Sequence, residues 1–175
     1  MNEIDFHKLP YRSESPHIKT SSIVCGLVAS TDLDATQRFY EDMLGLECVR
    51  VSNERMLARD GASIVGPRKG NPSWLLDVRK RAEIERPQRV LHHWGIDLVS
   101  KASVEAMHNR VQTFQADYGI RQIFQPQFQH GSYAFYLQDL DTNWWEFQFV
   151  PQSRKATKFV VGDFVDPAFD RQGKD

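Results

Sequence analysis

Short apolar stretches of strand length alternate along the chain with two segments whose apolar residues recur every three to four positions. Residues 23–30 form the first such stretch. It is followed by Asp32-Leu33-Asp34, whose carboxylates suit the positive N-terminal end of a helix. Ala35, Phe39 and Met43 then recur at i, i+4 and i+8 with Tyr40 and Leu44 beside them, and Gly45 supplies the flexible stop expected just past a helix end. Residues 46–51, 55–58 and 73–78 read as three successive strands, separated by Asp60-Gly61 and by a Gly/Pro-rich loop over 66–72. The first half is therefore β, α, β, β, β.

The same order then starts again. Residues 90–99 read as a strand, and Ser100 caps a helix in which Val104, Met107, Val111 and Phe114 form one apolar stripe ended by Gly119. Three more strands follow at 120–124, 132–138 and 143–150, the last two joined by the turn from Asp139 to Asn143. A repeated unit of this kind predicts an α+β fold of two βαβββ modules. The expected organisation is an N-terminal arm over 1–20, a first module over 21–80, a charged linker over 81–89, a second module over 90–152 and a C-terminal tail over 153–175.

Composition narrows the function classes. A net charge of -1 in 175 residues lacks the basic excess of a nucleic-acid footprint, so nucleic acid is not an expected partner. No apolar run reaches the roughly 18 to 20 residues needed to span a bilayer, and the polar start lacks the apolar core of a secretory signal. The expectation is a cytoplasmic protein with no membrane partner. Its two cysteines, Cys25 and Cys48, are too few for a disulfide framework and form no CxxC pair, so both are expected as thiols.

Side chains alternate faces along a strand, so His93, Gly95 and Asp97 share one face while Trp94, Ile96 and Leu98 share the other. The same parity sets Glu146 and Gln148 against Trp145, Phe147 and Phe149. With the apolar sets on the helices, an imidazole and a carboxylate point to the other side, which makes half of a divalent-metal site. A lone strand histidine is more often a hydrogen-bonded core or rim residue, and that is the reading for His7, His17, His92 and His108. Glu146 differs, because an unpaired carboxylate within Trp-Trp-Glu-Phe-Gln-Phe is costly without a cation or a hydrogen-bond network.

Three segments resemble the vicinal-oxygen-chelate superfamily of glyoxalases, extradiol dioxygenases, fosfomycin-resistance enzymes and bleomycin-binding proteins. TDLDATQRFYEDMLGL at 31–46 is similar to its first-module helix, and HWGIDL at 93–98 to the strand that opens its second module with a histidine ligand. FYLQDLDTNWWE at 135–146 resembles its closing motif, a DPDGN-like turn before a strand with a metal-binding glutamate. The resemblance implies a half-open barrel around one small-molecule site, a homodimer, and a divalent metal (Fe2+, Mn2+, Zn2+ or Ni2+) held by His93 and Glu146. The implied chemistry is that of a glyoxalase-like lyase or isomerase, or of a ring-cleaving dioxygenase, acting on a small vicinal-oxygen substrate.

The departures from the pattern bear on that chemistry. Cys25 stands where a histidine ligand is usual and is a candidate third ligand, since a thiolate can bind zinc or iron, but Cys-His-Glu is not the 2-His-1-carboxylate set of ferrous oxygenases. Asp77 is a weaker candidate for a fourth ligand. Tyr136 has the spacing from Glu146 of a site tyrosine in extradiol dioxygenases, which implies a hydrogen bond to substrate oxygen. His130, in a His-Gly pair, is a candidate for proton exchange or for the missing ligand. Arg68 and Lys69 on the 66–72 loop are candidate guides for an anionic substrate. Thr142 replaces the usual glycine of the turn, so the bend is expected to use another geometry or to move the positive φ to Asn143. A metal-free binding protein, similar to the bleomycin-binding members, and a scaffold with a decayed site are the competing classes.

Overall fold

The computed structural model describes residues 25–60, 75–129 and 131–151. The N-terminal arm, the C-terminal tail, the 66–72 loop with Arg68 and Lys69, and His130 lie outside the described residues. In chain order the elements are β1 (Cys25–Ser30), α1 (Leu33–Asp42), β2 (Leu46–Ser52), β3 (Arg55–Asp60) and β4 (Leu75–Lys80), then β5 (His93–Asp97), α2 (Lys101–Thr113), β6 (Gln122–Ile123), β7 (Gln127–Gln129), β8 (Ser132–Gln138) and β9 (Trp144–Phe149). The two-module α+β architecture is present. None of the helices described is long and apolar enough to cross a membrane.

The first sheet has the order β1-β4-β3-β2, and the second runs β5-β9-β8-β6 with β7 also on β8. In each sheet the first strand pairs in parallel with the last of its module, and the remaining pairings are antiparallel. The strand expected at 120–124 is shorter, and a further strand, β7, follows it. Pro126 lies between them and has no N–H for the ladder, so β6 and β7 take opposite ends of β8.

Local chemistry sets the helices. Asp32 caps α1, its Oδ1 accepting from the N–H groups of Asp34 (3.0 Å) and Ala35 (3.1 Å). Beyond α1, Gly45 turns the chain into β2 at φ +67°, a conformation that costs glycine little. Ser100 caps α2 by accepting from the Ser103 N–H at 3.1 Å. The buried face of α2 is Val104, His108 and Val111, whereas Phe114, expected in the stripe, is 36% exposed. His108 is the core histidine the sequence suggested, its ring meeting Phe135 edge-on at 5.1 Å.

One continuous core joins the modules. Tyr40 of α1 meets Trp145 of β9 edge-on at 5.2 Å, and Phe39 lies 6.2 Å from Tyr118. The turn from Asp139 to Asn143 is the polar latch between them. Asp141 Oδ1 accepts from the Thr31 N–H (2.9 Å) and hydroxyl (2.5 Å), and its Oδ2 accepts from the Thr36 hydroxyl at 3.0 Å. Asn143 donates to the Ala29 carbonyl at 3.2 Å. Asp139, fully buried, accepts from the N–H groups of Asp141 and Asn143 and from the Trp145 indole. Burial nevertheless pushes its carboxyl up to about 6.

The turn keeps its positive φ at Thr142 (φ +67°) rather than shifting it to Asn143, which corrects the sequence expectation. Asn143 is not free to move, because its backbone and amide are both held by Asp139. Asp141→Ala is expected to cost about 3 kcal/mol in urea unfolding, since it strands the Thr31 and Thr36 donors of the first module in a largely buried site. Thr142→Gly is expected to raise stability by about 1 kcal/mol by relieving the left-handed strain. Equal stability of both variants and the parent would refute the latch and the strain together.

The two thiols lie in different surroundings. Cys25, on edge strand β1, is exposed, whereas burial, with Glu41 nearby, pushes the half-buried Cys48 thiol up to about 12. A chromogenic disulfide reagent at pH 8 should therefore modify Cys25 about a hundredfold faster than Cys48. Cys25→Ser should abolish the fast phase, and two equally fast thiols would contradict the placement.

Candidate metal centre

The parallel ladder of β5 on β9 pairs Gly95 with Glu146, and the antiparallel ladder of β8 on β9 pairs Tyr136 with the same Glu146. Directly paired residues share a face, so this row carries the site. Behind it Trp94, Ile96, Trp145 and Phe147 join the core with the helices, as the alternation requires. In front, His93 Nε2 stands 3.3 Å from Glu146 Oε2, with side-chain exposures of 28% and 11%.

The hydrogen bonds fix how these groups can react. His93 Nδ1 lies 2.6 Å from the Val90 carbonyl, an acceptor only, so Nδ1 carries the proton. In the neutral ring Nε2 is then a lone pair facing a carboxylate oxygen. Two acceptors at that distance repel unless a proton or a cation lies between them. The separation suits a cation, because donors each about 2.0 to 2.2 Å from one ion stand about 3 to 3.5 Å apart. The hydrogen bond to a carbonyl is also the usual support of a metal-binding imidazole.

Glu146 Oε1 is held separately by the Tyr136 hydroxyl, which donates to it at 2.8 Å. Burial, reinforced by that carboxylate, drives the Tyr136 pKa well up, so the phenol remains a donor throughout the neutral range. Its ring meets His93 edge-on at 4.9 Å. Phe124 lies 6.4 Å from Tyr136 and 5.3 Å from Trp144, and Trp144 is pinned by its indole N–H on the Gln88 carbonyl. The centre therefore sits among aromatic rings.

The structure brings His93, Glu146 and Tyr136 together and leaves Cys25 apart from them. Among the described residues no group of three His, Cys, Asp or Glu side chains forms. Asp77 is committed elsewhere on the first sheet. Arg55 grips it at 3.1 and 3.0 Å and Arg79 donates at 2.8 Å. Burial acts to raise the Asp77 pKa, but the two guanidiniums outweigh it and hold the carboxyl below its ordinary value. A cavity of about 580 Å³ lies along β5 between the modules, where Leu46, Leu76, Trp94, Gly95, Asp97 and Trp145 are among the residues that line it. None of His93, Glu146 or Tyr136 lines it, although Gly95 is the ladder partner of Glu146.

Sequence reasoning missed the Val90 carbonyl and the rings of Phe124 and Trp144. Trp144 had a signal, since it shares strand parity with Glu146. The carbonyl had none.

Comparison with known proteins agrees with this architecture. A possible glyoxalase from Bacillus cereus is similar over 74% of this chain and 99% of its own, at 20% identity and a TM-score of 0.56. The Listeria monocytogenes fosfomycin resistance protein FosX, in a mutant form complexed with Mn(II) and 1S,2S-dihydroxypropylphosphonic acid, aligns over 81% of this chain and 99% of its own, at 12% identity and a TM-score of 0.58. Lactoylglutathione lyase from Agrobacterium tumefaciens aligns over 74% of this chain and 94% of its own, at 21% identity and a TM-score of 0.50. No curated protein matches by sequence. At these identities the likeness shows a shared fold. The profile of the Glyoxalase/Bleomycin resistance protein/Dioxygenase superfamily matches residues 17–147, and the chain belongs to that superfamily.

Proposed function

We propose that the chain is a divalent-metal-dependent enzyme of the glyoxalase or extradiol-dioxygenase type that acts on a small vicinal-oxygen substrate. The observation that carries this reading is His93 Nε2 facing Glu146 Oε2 across 3.3 Å while Nδ1 is committed to Val90. His93 and Glu146 would hold the cation, and His130, which lies outside the described residues, is the candidate further ligand, since Cys25 does not join them. The bound ion would supply Lewis acidity, polarising a carbonyl or lowering the pKa of a hydroxyl. Tyr136 orients Glu146 and can hydrogen-bond a substrate oxygen. FosX, complexed with Mn(II) and a dihydroxy phosphonic acid, lends support to a metal in this fold.

The second reading is a metal-free binding protein. The observation in its favour is that His93 and Glu146 are joined by no third ligand among the described residues, beside a cluster of rings suited to an aromatic compound. Elemental analysis of the full chain purified without a His tag separates the two. The enzyme reading expects about one equivalent of Fe, Mn, Zn or Ni, and a loss of affinity of about a hundredfold or more in His93→Ala and Glu146→Gln. Metal bound equally by all three proteins, or by none, would sink it in favour of the binder.

A further inference from the structure

Gly95 occupies the middle of β5, a position where glycine weakens a strand and where its backbone freedom is not needed. Its φ is not in the left-handed region, unlike those of Gly45, Gly119 and Gly131. Packing does not demand it either. A Cβ built there would stand 3.5 Å from Gln148 Nε2 and 3.7 Å from Glu146 Oε2, both ordinary contacts, so alanine fits without a clash. What the missing side chain preserves is empty space beside the metal-binding carboxylate. A strand glycine with neither a turn nor a crowded neighbour marks a place where a ligand approaches the backbone.

The wall of that notch is the carboxamide of Gln148. Gln148 shares parity with Glu146, pairs with Asp97 across the ladder and is half-buried, and among the described residues its amide makes no hydrogen bond. Its backbone, by contrast, is engaged, the carbonyl accepting from the Leu98 N–H at 2.7 Å. A half-buried amide with free donor and acceptor capacity, aimed into a space kept open by glycine, is arranged to bind something polar.

We infer that Gly95 and Gln148 form a notch that binds an uncharged hydroxyl or carbonyl of the ligand, next to the oxygen at His93 and Glu146, and so set specificity. This deepens the function proposed above and rests on it for the position of the ligand. The carboxamide is neutral and both donates and accepts, which matches a hydroxyl. A carboxylate or phosphonate in the same notch would meet Glu146 Oε2 without a compensating guanidinium or ammonium from Gln148.

Catechol and phthalate, whose ortho substituents are two hydroxyls against two carboxylates, are suitable calorimetric probes of the full chain with and without Mn(II). Wild type should bind catechol about tenfold more tightly than phthalate, and Gly95→Ala and Gln148→Leu should each weaken catechol about tenfold while changing phthalate less than about threefold. Mn(II) affinity, read separately by electron paramagnetic resonance, should stay within about threefold in both variants, since neither removes a ligand. Catechol affinity unchanged in both variants, a wild-type preference for phthalate, or no binding of either probe overturns the notch. Wild type that binds no Mn(II) but still discriminates through Gly95 and Gln148 would overturn the metal reading and leave the notch standing. Gln148→Leu keeps the test decisive if Gly95→Ala misfolds.

Discussion

The parallel pairing of β5 with β9 is the constraint on which the site depends. It joins strands that lie far apart in sequence and fixes their register at Gly95 opposite Glu146. A slip of one residue would turn Glu146 towards the helices and Trp145 to the other face, taking the carboxylate from its Tyr136 donor into apolar surroundings. The apolar face of β9, with Trp145 and Phe147 almost fully buried, therefore enforces the position of the carboxylate on the other face. His93 follows from the same ladder, with its ring direction set by the Val90 carbonyl.

That ladder is in turn held by the turn before β9. Asp139 gathers the N–H groups of the turn, and Asp141 reaches across to Thr31 and Thr36 of the first module. The two carboxylates do different work at neighbouring positions. Asp139 closes the loop on itself, while Asp141 sets where the first module stands against the second. Both are nearly inaccessible, so their hydrogen bonds are made in surroundings where an unpaired donor would be costly. The first module meets the second through this polar contact, the Tyr40–Trp145 packing and the contacts of α1 with Asp117 and Tyr118, and among the described residues no ladder joins β1 to β5.

Much of this was legible because strands and helices leave different periods in a sequence. The order of elements, the caps at Asp32 and Ser100, and the inward parity of His93 and Glu146 all follow from spacing alone. What spacing does not carry is contact with main chain. Any residue at position 90 offers the same carbonyl, so the partner that fixes the His93 tautomer has no sequence signature. The short strand β7 was missed because Gln127-Phe128-Gln129 offers a single apolar residue, too little for a period to show. Asp77 appeared as a possible ligand because sequence shows a carboxylate but not the two arginines that the sheet folds onto it. Cys25 was offered by the sequence as a metal ligand, but it is an exposed thiol on an edge strand and joins no group with His93 and Glu146.

Three positions in the described chain oppose their local preferences, and the reasons differ. Thr142 holds a conformation that β-branched residues resist, and the hydrogen bonds of Asp139 to its neighbours account for it. Its strain belongs to the latch, not to chemistry. Glu146 places a carboxylate in an apolar strand, supported by one phenol and facing one imidazole. Gly95 weakens the strand beside it with no backbone or steric reason. Local rules are broken chiefly at functional or strained sites, and the last two positions are direct partners in one register. That coincidence locates the working part of the molecule at the β5–β9 ladder more firmly than the size of any cavity does, because it concerns residues that stability alone would have replaced.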